Sequence, residues 1–182
     1  FLEQEGVVVR GSVGMMTDGF SEARLVYRHT SPYDLAHIIE RLLEYSNNFT
    51  ANQLLLAMGT RCYGPPATLG KGVQALTAYA RNVIGIPDVV FVEGSGISRH
   101  NRLSVRDMIT VLHHFSPHAH LMPQEGSEYY KTGTLKGVRT RVGYIDLGPG
   151  DRYRFALFRN RSSQTTAPIM RQVHRYLSND RK

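Results

Sequence analysis

Residues 128–159 read EYYKTGTLKGVRTRVGYIDLGPGDRYRFALFR, three runs rich in aromatic and β-branched residues separated by two glycine-bearing turns. The runs 128–135, 139–147 and 153–159 have strand composition, and Lys136-Gly137 and Gly148-Pro149-Gly150-Asp151 are turn sequences that would join them as an antiparallel meander. In the last run Tyr153, Phe155 and Leu157 alternate with Arg154, Ala156 and Phe158. Apolar side chains therefore fall on both faces, the pattern of a strand covered on both sides. After it, Pro168 opens a helix with Ile169, Val173 and Leu177 on one side.

Upstream of the meander the apolar spacing becomes helical. Ser31 is read as an N-cap, Pro32 as the first helical residue and Asp34 as the capping-box partner. Leu35, Ile38, Ile39, Leu42 and Leu43 line one face of the helix that follows, and Ser46-Asn47-Asn48 breaks it by competing for backbone hydrogen bonds. A second helix is expected from Thr50, with Gln53 as capping partner, to a stop at Gly59. A third runs from Leu69 to Ile84 with Val73, Leu76, Ala80 and Val83 inward and Gly85 as its end. Val89–Val92 reads as a short buried strand, 93–102 as a polar loop, and Ser104 with Asp107 caps a helix carrying Met108, Leu112 and Phe115 that ends at Ser116-Pro117. Val7-Val8-Val9 and Leu25-Val26-Tyr27 are two further candidate strands. A helical half, about 31–117, thus precedes a sheet and final helix, about 128–179, in one α+β domain over 1–182.

Apolar content of 41% and charged content of 20% are globular values. No apolar run approaches the ~20 residues of a membrane helix, and the opening residues FLEQE carry no targeting pattern. The absence of an initial Met suggests a processed protein or a fragment. A single cysteine, Cys62, excludes an internal disulfide and most cysteine-based zinc sites. The net charge of +7 could suit an anionic partner, but the arginines are scattered without an aromatic platform, so nucleic acid is not expected. His113, His114, His118 and His120 could in principle bind a transition metal. They straddle a helix end and a loop with no carboxylate or thiol beside them, so no metal and no cofactor is expected.

Three short stretches could carry chemistry. Ser46-Asn47-Asn48, at a helix junction, could turn a hydroxyl and an amide into one groove. Lys131-Thr132-Gly133-Thr134 would give a strand a fixed cation, hydroxyl donors and a glycine that clears room for an extended ligand bonded through its main chain. Glu93-Gly94-Ser95-Gly96 with His100 invites comparison with a hydrolase nucleophile. It lacks a glycine two positions before Ser95, however, and is better read as a tight loop with an internal polar network.

Serine, an asparagine two residues on, and Lys-Thr-Gly occur together in serine enzymes acting on D-alanyl peptides and β-lactams, beside a Ser-x-x-Lys. In order and context the chain resembles the D-alanyl-D-alanine carboxypeptidase/endopeptidase family, the class C low-molecular-mass penicillin-binding proteins. The resemblance extends from about residue 6 to 159 and rests on YSNNF at 45–49, EGSGISRHNRLS at 93–104 and KTGTLKGV at 131–138. It implies a β-lactamase/transpeptidase-like fold, here its carboxy-terminal part. It implies that Ser46 relays a proton, Asn48 orients substrate and Lys131 supplies positive potential. Thr132 would bind a terminal carboxylate, Gly133 would leave room for the ligand, and the Thr134 N–H would be one oxyanion donor, with 94–104 shaping a loop. The implied partners are the D-Ala-D-Ala end of peptidoglycan stem peptides and β-lactams, and the implied location is periplasmic or otherwise extracytoplasmic.

Two departures qualify this. The sequence contains no Ser-x-x-Lys; its nearest approach is Thr68-Leu69-Gly70-Lys71, so no nucleophile is assigned and the chain by itself is expected to be inactive. The segment 121–128 also leads into the Lys-Thr-Gly strand more directly than is usual in the family. Without the strands that begin such domains, 153–159 should be an open sheet edge, suited to self-association or to a complementary chain. The rival to the enzyme is a non-catalytic module that binds peptidoglycan peptides or another partner. The central expectation is spatial: Ser46 and Asn48 should meet Lys131 on one groove.

Overall fold

The computed structural model describes residues 4–8, 10, 11, 24, 27–160 and 164–179. They fall into two compact units, Phe1–Pro32 and Tyr33–Lys182, and everything below concerns the second. Of the strands expected at 7–9 and 25–27, Val9, Leu25 and Val26 lie outside the described residues.

The second unit runs through α1 (Leu35–Tyr45), α2 (Asn48–Tyr63), α3 (Leu69–Tyr79) and α4 (Val105–Phe115). It continues through β1 (Gln124–Glu125), β2 (Glu128–Leu135), β3 (Val138–Asp146), β4 (Arg152–Asn160) and α5 (Ala167–Asn179). The expected α+β order is present. The sheet is antiparallel in the order β1-β2-β3-β4, and the two-residue β1, not foreseen, hairpins onto the start of β2. Lys136-Gly137 makes the β2–β3 turn with Gly137 at φ 75°, a conformation that favours glycine.

Both faces of the sheet are covered, as the sequence of β4 implied. On one face Tyr144 is fully buried with Leu112 of α4, Ala119 and Met122. Its hydroxyl donates to the Leu112 carbonyl at 2.5 Å, and burial pushes the phenol up to about 12, so it stays a donor. On the opposite face Glu128 pairs with Arg141 at 2.8 Å and lies 2.6 Å from Nε2 of His174 on α5.

Several local expectations are corrected. Asp34, not Ser31, caps α1, its carboxylate accepting the His37 N–H at 2.8 Å; Ser31 and Pro32 lie outside the helix. A carboxylate next to the first helical residue takes the N–H that a serine three residues earlier cannot reach. In the same way Asn47 caps α2 by accepting the Thr50 N–H, so the helix starts at Asn48 and not at Thr50. Gly59 does not end α2. It is buried mid-helix, where a Cβ would lie 2.4 Å from the backbone nitrogen of Gly72 on α3, so the two helices touch backbone to backbone. The third helix ends at Gly85 as expected, but its last turn, Ala80–Ile84, widens to a π-turn. The extra residue rotates Val83 outward, to 54% exposure, although helical spacing put it inside. At 89–92 there is only one bridge, Val90 to Arg102, because the Asn101 side chain takes the Val92 N–H and ends the ladder. The α4 helix ends at Phe115, before Ser116-Pro117 as expected, and the chain continues, unforeseen, as a 3-10 turn over Ser116–Leu121.

Among the described residues no group of three or more His, Cys, Asp or Glu side chains is arranged for a metal, and no helix is long and apolar enough to cross a membrane. Among them, too, β4 pairs with β3 alone and is an edge.

The α2–α3 contact yields a sharp test. Gly59→Ala is expected to cost about 2–3 kcal/mol in urea unfolding, because backbone and not a yielding side chain meets the new methyl. Gly70→Ala, on α3 with nothing within 4 Å of its Cβ position, should be neutral or stabilise slightly.

Candidate active site

The junction between α1 and α2 aims Ser46. After Tyr45 the chain turns through Ser46 in the left-handed region (φ 54°, ψ 45°), closing α1 with its N–H on the Leu42 carbonyl at 2.9 Å. Among the described residues Ser46 alone has positive φ without being glycine. Such a conformation carries strain and persists where its surroundings impose it. Asn47 then caps α2, and Asn48 begins it. Ser46, Asn47 and Asn48 together line the mouth of a cleft of about 1180 Å³.

The opposite wall is β2. Strand alternation sends Lys131 to the face that carries Tyr129 and Tyr144, toward the helices. There the Lys131 ammonium donates to Ser46 Oγ, joining residues 85 positions apart. Burial disfavours the charged form and lowers the lysine pKa. Thr132 and Thr134 point to the other face of the strand, yet both are exposed and line the cleft, because β2 forms its edge there. The Tyr130 N–H bonds outward, to the Pro123 carbonyl at 3.0 Å. Main-chain parity then directs the Thr132 and Thr134 N–H groups to the same outer side, beyond the end of β1 at Glu125. Ser46, Asn48, Lys131, Thr132, Gly133 and Thr134 therefore share one groove.

Gly133 has a reason that sequence reasoning missed. A Cβ there would lie 2.5 Å from Oγ1 of Thr140, its partner on β3, so the glycine admits a neighbour's hydroxyl before any ligand is considered.

The far end of the cleft is closed by the loop 93–101, gathered on a single carboxylate. Glu93 accepts from the Ser95 N–H (2.6 Å) and hydroxyl (2.5 Å), the Gly96 N–H (2.9 Å), the Ser98 N–H (3.2 Å) and the Asn101 amide (2.5 Å). Burial pushes this carboxyl up, but the donors from Ser95, Ser98 and Asn101 outweigh it and hold the group below the usual carboxylate range. The Ser95 hydroxyl is thus occupied as a donor within the loop, which agrees with the polar-network reading of 93–101. The carboxylate hub itself could not be identified from spacing, since most of its donors are main-chain N–H groups.

The comparisons with known proteins extend this picture. The family described as "D-Ala-D-Ala carboxypeptidase 3 (S13)" matches residues 1–124. A D-alanyl-D-alanine carboxypeptidase, DacB, of Haemophilus influenzae is 25% identical over 211 aligned positions, covering 98% of this chain and 43% of the relative. A D-alanyl-D-alanine carboxypeptidase of an Actinomadura species is 26% identical, covering 87% of this chain and 35% of its own length. The chain therefore spans less than half of either relative. Among solved structures, penicillin binding protein 4 of H. influenzae superposes with a TM-score of 0.67 at 24% identity, over 79% of this chain and 39% of that one. A predatory endopeptidase of Bdellovibrio bacteriovorus, solved with an immunity protein, gives 0.59 at 20% identity over 80% of this chain and 42% of that one. The expected transpeptidase-like fold is borne out.

The Gly133–Thr140 contact can be separated from ligand clearance by a double-mutant cycle. Gly133→Ala is expected to cost about 1–3 kcal/mol in the parent background and much less with Thr140→Ala, a coupling of at least about 1 kcal/mol.

Proposed function

The chain belongs to the D-Ala-D-Ala carboxypeptidase 3 (S13) family, and on that premise we propose that its second unit is the carboxy-terminal part of a serine-type D-Ala-D-Ala peptidase domain, acting on peptidoglycan stem peptides and acylated by β-lactams. The hydrogen bond between Lys131 and Ser46 at the cleft is the observation that carries this reading. A lysine whose ammonium is disfavoured by burial can exchange a proton with the hydroxyl it touches. Ser46 would pass that proton toward the leaving amine, a positioned transfer worth about 10²–10⁴-fold in rate. Asn48 would hold the substrate amide, Thr132 the terminal carboxylate, and the outward N–H of Thr134 one lobe of the oxyanion site. A peptide would lie along the outer edge of β2 as an added strand. No residue of this sequence is assigned as the attacking serine, since it has no Ser-x-x-Lys. The location that fits such a substrate is extracytoplasmic.

The full-length product is expected to be acylated by a labelled penicillin, with Ser46→Ala and Lys131→Ala each slowing acylation about 10²–10⁴-fold. Unchanged rates in both variants would overturn the roles given to these residues. A product that takes no label yet binds an acyl-D-Ala-D-Ala peptide would identify a non-catalytic peptide-binding module instead. The edge strand β4 carries a separate expectation, that the isolated chain self-associates or takes up a complementary strand there. Sedimentation should then show concentration-dependent association that an edge-blocking Ala156→Pro abolishes; a monomer at all concentrations, with the outward N–H groups of β4 exchanging freely with solvent, would refute it.

A further inference from the structure

The loop 93–101 touches both walls of the cleft. On the helical side the Gly94 N–H donates to the Asn52 side-chain oxygen on α2 at 2.8 Å. The fit is close, for a Cβ on Gly94 would lie 2.9 Å from the Ala51 carbonyl oxygen. On the sheet side Arg99 Nη2 donates to the Lys136 carbonyl at the β2–β3 turn, 2.5 Å away. Between these anchors the loop has no helix or strand of its own, and its shape is set by the five donors converging on Glu93. One anchor lies one turn into the helix that begins with Asn48; the other holds the tip of the hairpin that carries Lys131.

We propose that Glu93 is a positioning residue: its carboxylate makes the loop 93–101 a strut that fixes the separation of α2 from the β2–β3 hairpin, and so holds Lys131 against Ser46. The inference rests on the peptidase reading only for its meaning in catalysis, because the geometry it describes exists in this chain regardless of turnover. Two rigid ends joined by a soft loop would let the hairpin tip swing. An anionic hub that binds main-chain N–H groups on several sides removes that freedom. An amide cannot replace it, since the nitrogen of a glutamine would face N–H and O–H donors. An aspartate keeps the charge and both acceptor oxygens with a shorter reach.

The test uses the chain as it stands and follows the side-chain nitrogen of Lys131 by NMR titration, beside amide exchange at the hairpin tip. In Glu93→Gln, Lys131 should gain solvent and its proton affinity should move up toward that of an ordinary lysine. Amides at 135–138 should exchange on the order of tenfold faster. Glu93→Asp should restore both readouts. Asn52→Ala, which cuts the helical anchor outside the loop, should shift them in the same direction and keeps the proposal testable if Glu93→Gln does not fold. An unchanged Lys131 titration in a folded Glu93→Gln or Asn52→Ala protein overturns the proposal, even if thermal stability falls, because a purely local loop role would lower stability alone. Failure of the penicillin assay leaves this readout untouched, so the two readings fail separately.

Discussion

An ammonium group is strongly hydrated, and some of that water must be given up when Lys131, partly buried in the cleft wall, rests against the Ser46 hydroxyl. The contact between Lys131 and Ser46 therefore constrains everything around it. Its lysine must leave the sheet on the helix side, which fixes the parity of β2. Its serine must project from a helix end, which fixes the left-handed turn after Tyr45. Tyr144, locked to Leu112 of α4, sets the depth at which the sheet meets the helices. The parts come from distant stretches of chain, and only their joint placement makes the pair.

A strand has two faces and two edges, and β2 uses all four. One face presents Lys131 to the helices. The other carries the Glu128–Arg141 pair, with Arg141 stacked 3.6 Å from the centre of the Tyr130 ring and His174 of α5 closing on the same carboxylate. The inner edge is bonded to β3 throughout, while β1 covers only the first residues of the outer edge. A strand held this firmly from behind keeps its free edge in a defined line.

Elements whose determinants lie close together in sequence were legible. The hairpin turn at Lys136-Gly137, the Ser104–Asp107 capping box and the Gly85 stop depend on neighbours, and each is found where it was expected. The caps at Asp34 and Asn47 were local and were placed at the wrong neighbours, whereas the other misses depended on something beyond reach of local pattern. Gly59 resembles a helix terminator until Gly72 is brought against it, and Val83 is inward only if the helix keeps about 3.6 residues per turn. The convergence of Ser46, Asn48 and Lys131 was expected only through the family resemblance, since nothing local joins residues 85 positions apart. The Glu93 hub was not legible, since a lone carboxylate in a glycine-rich loop gives no sign of how many N–H groups will turn toward it. The Arg99 tie to the hairpin, across 37 positions, had no local signal at all.

The early end of β1 has a metric consequence. From Lys131 to Leu135 the outer rail of β2 is five residues long, about 16 Å at the usual rise of a strand. Docking by main-chain bonds along such a track is indifferent to most side chains of the guest and sensitive to its length. Selectivity among extended guests would then have to arise at the two ends of the track, where one terminus meets the helix junction and the other the loop beneath the hairpin tip.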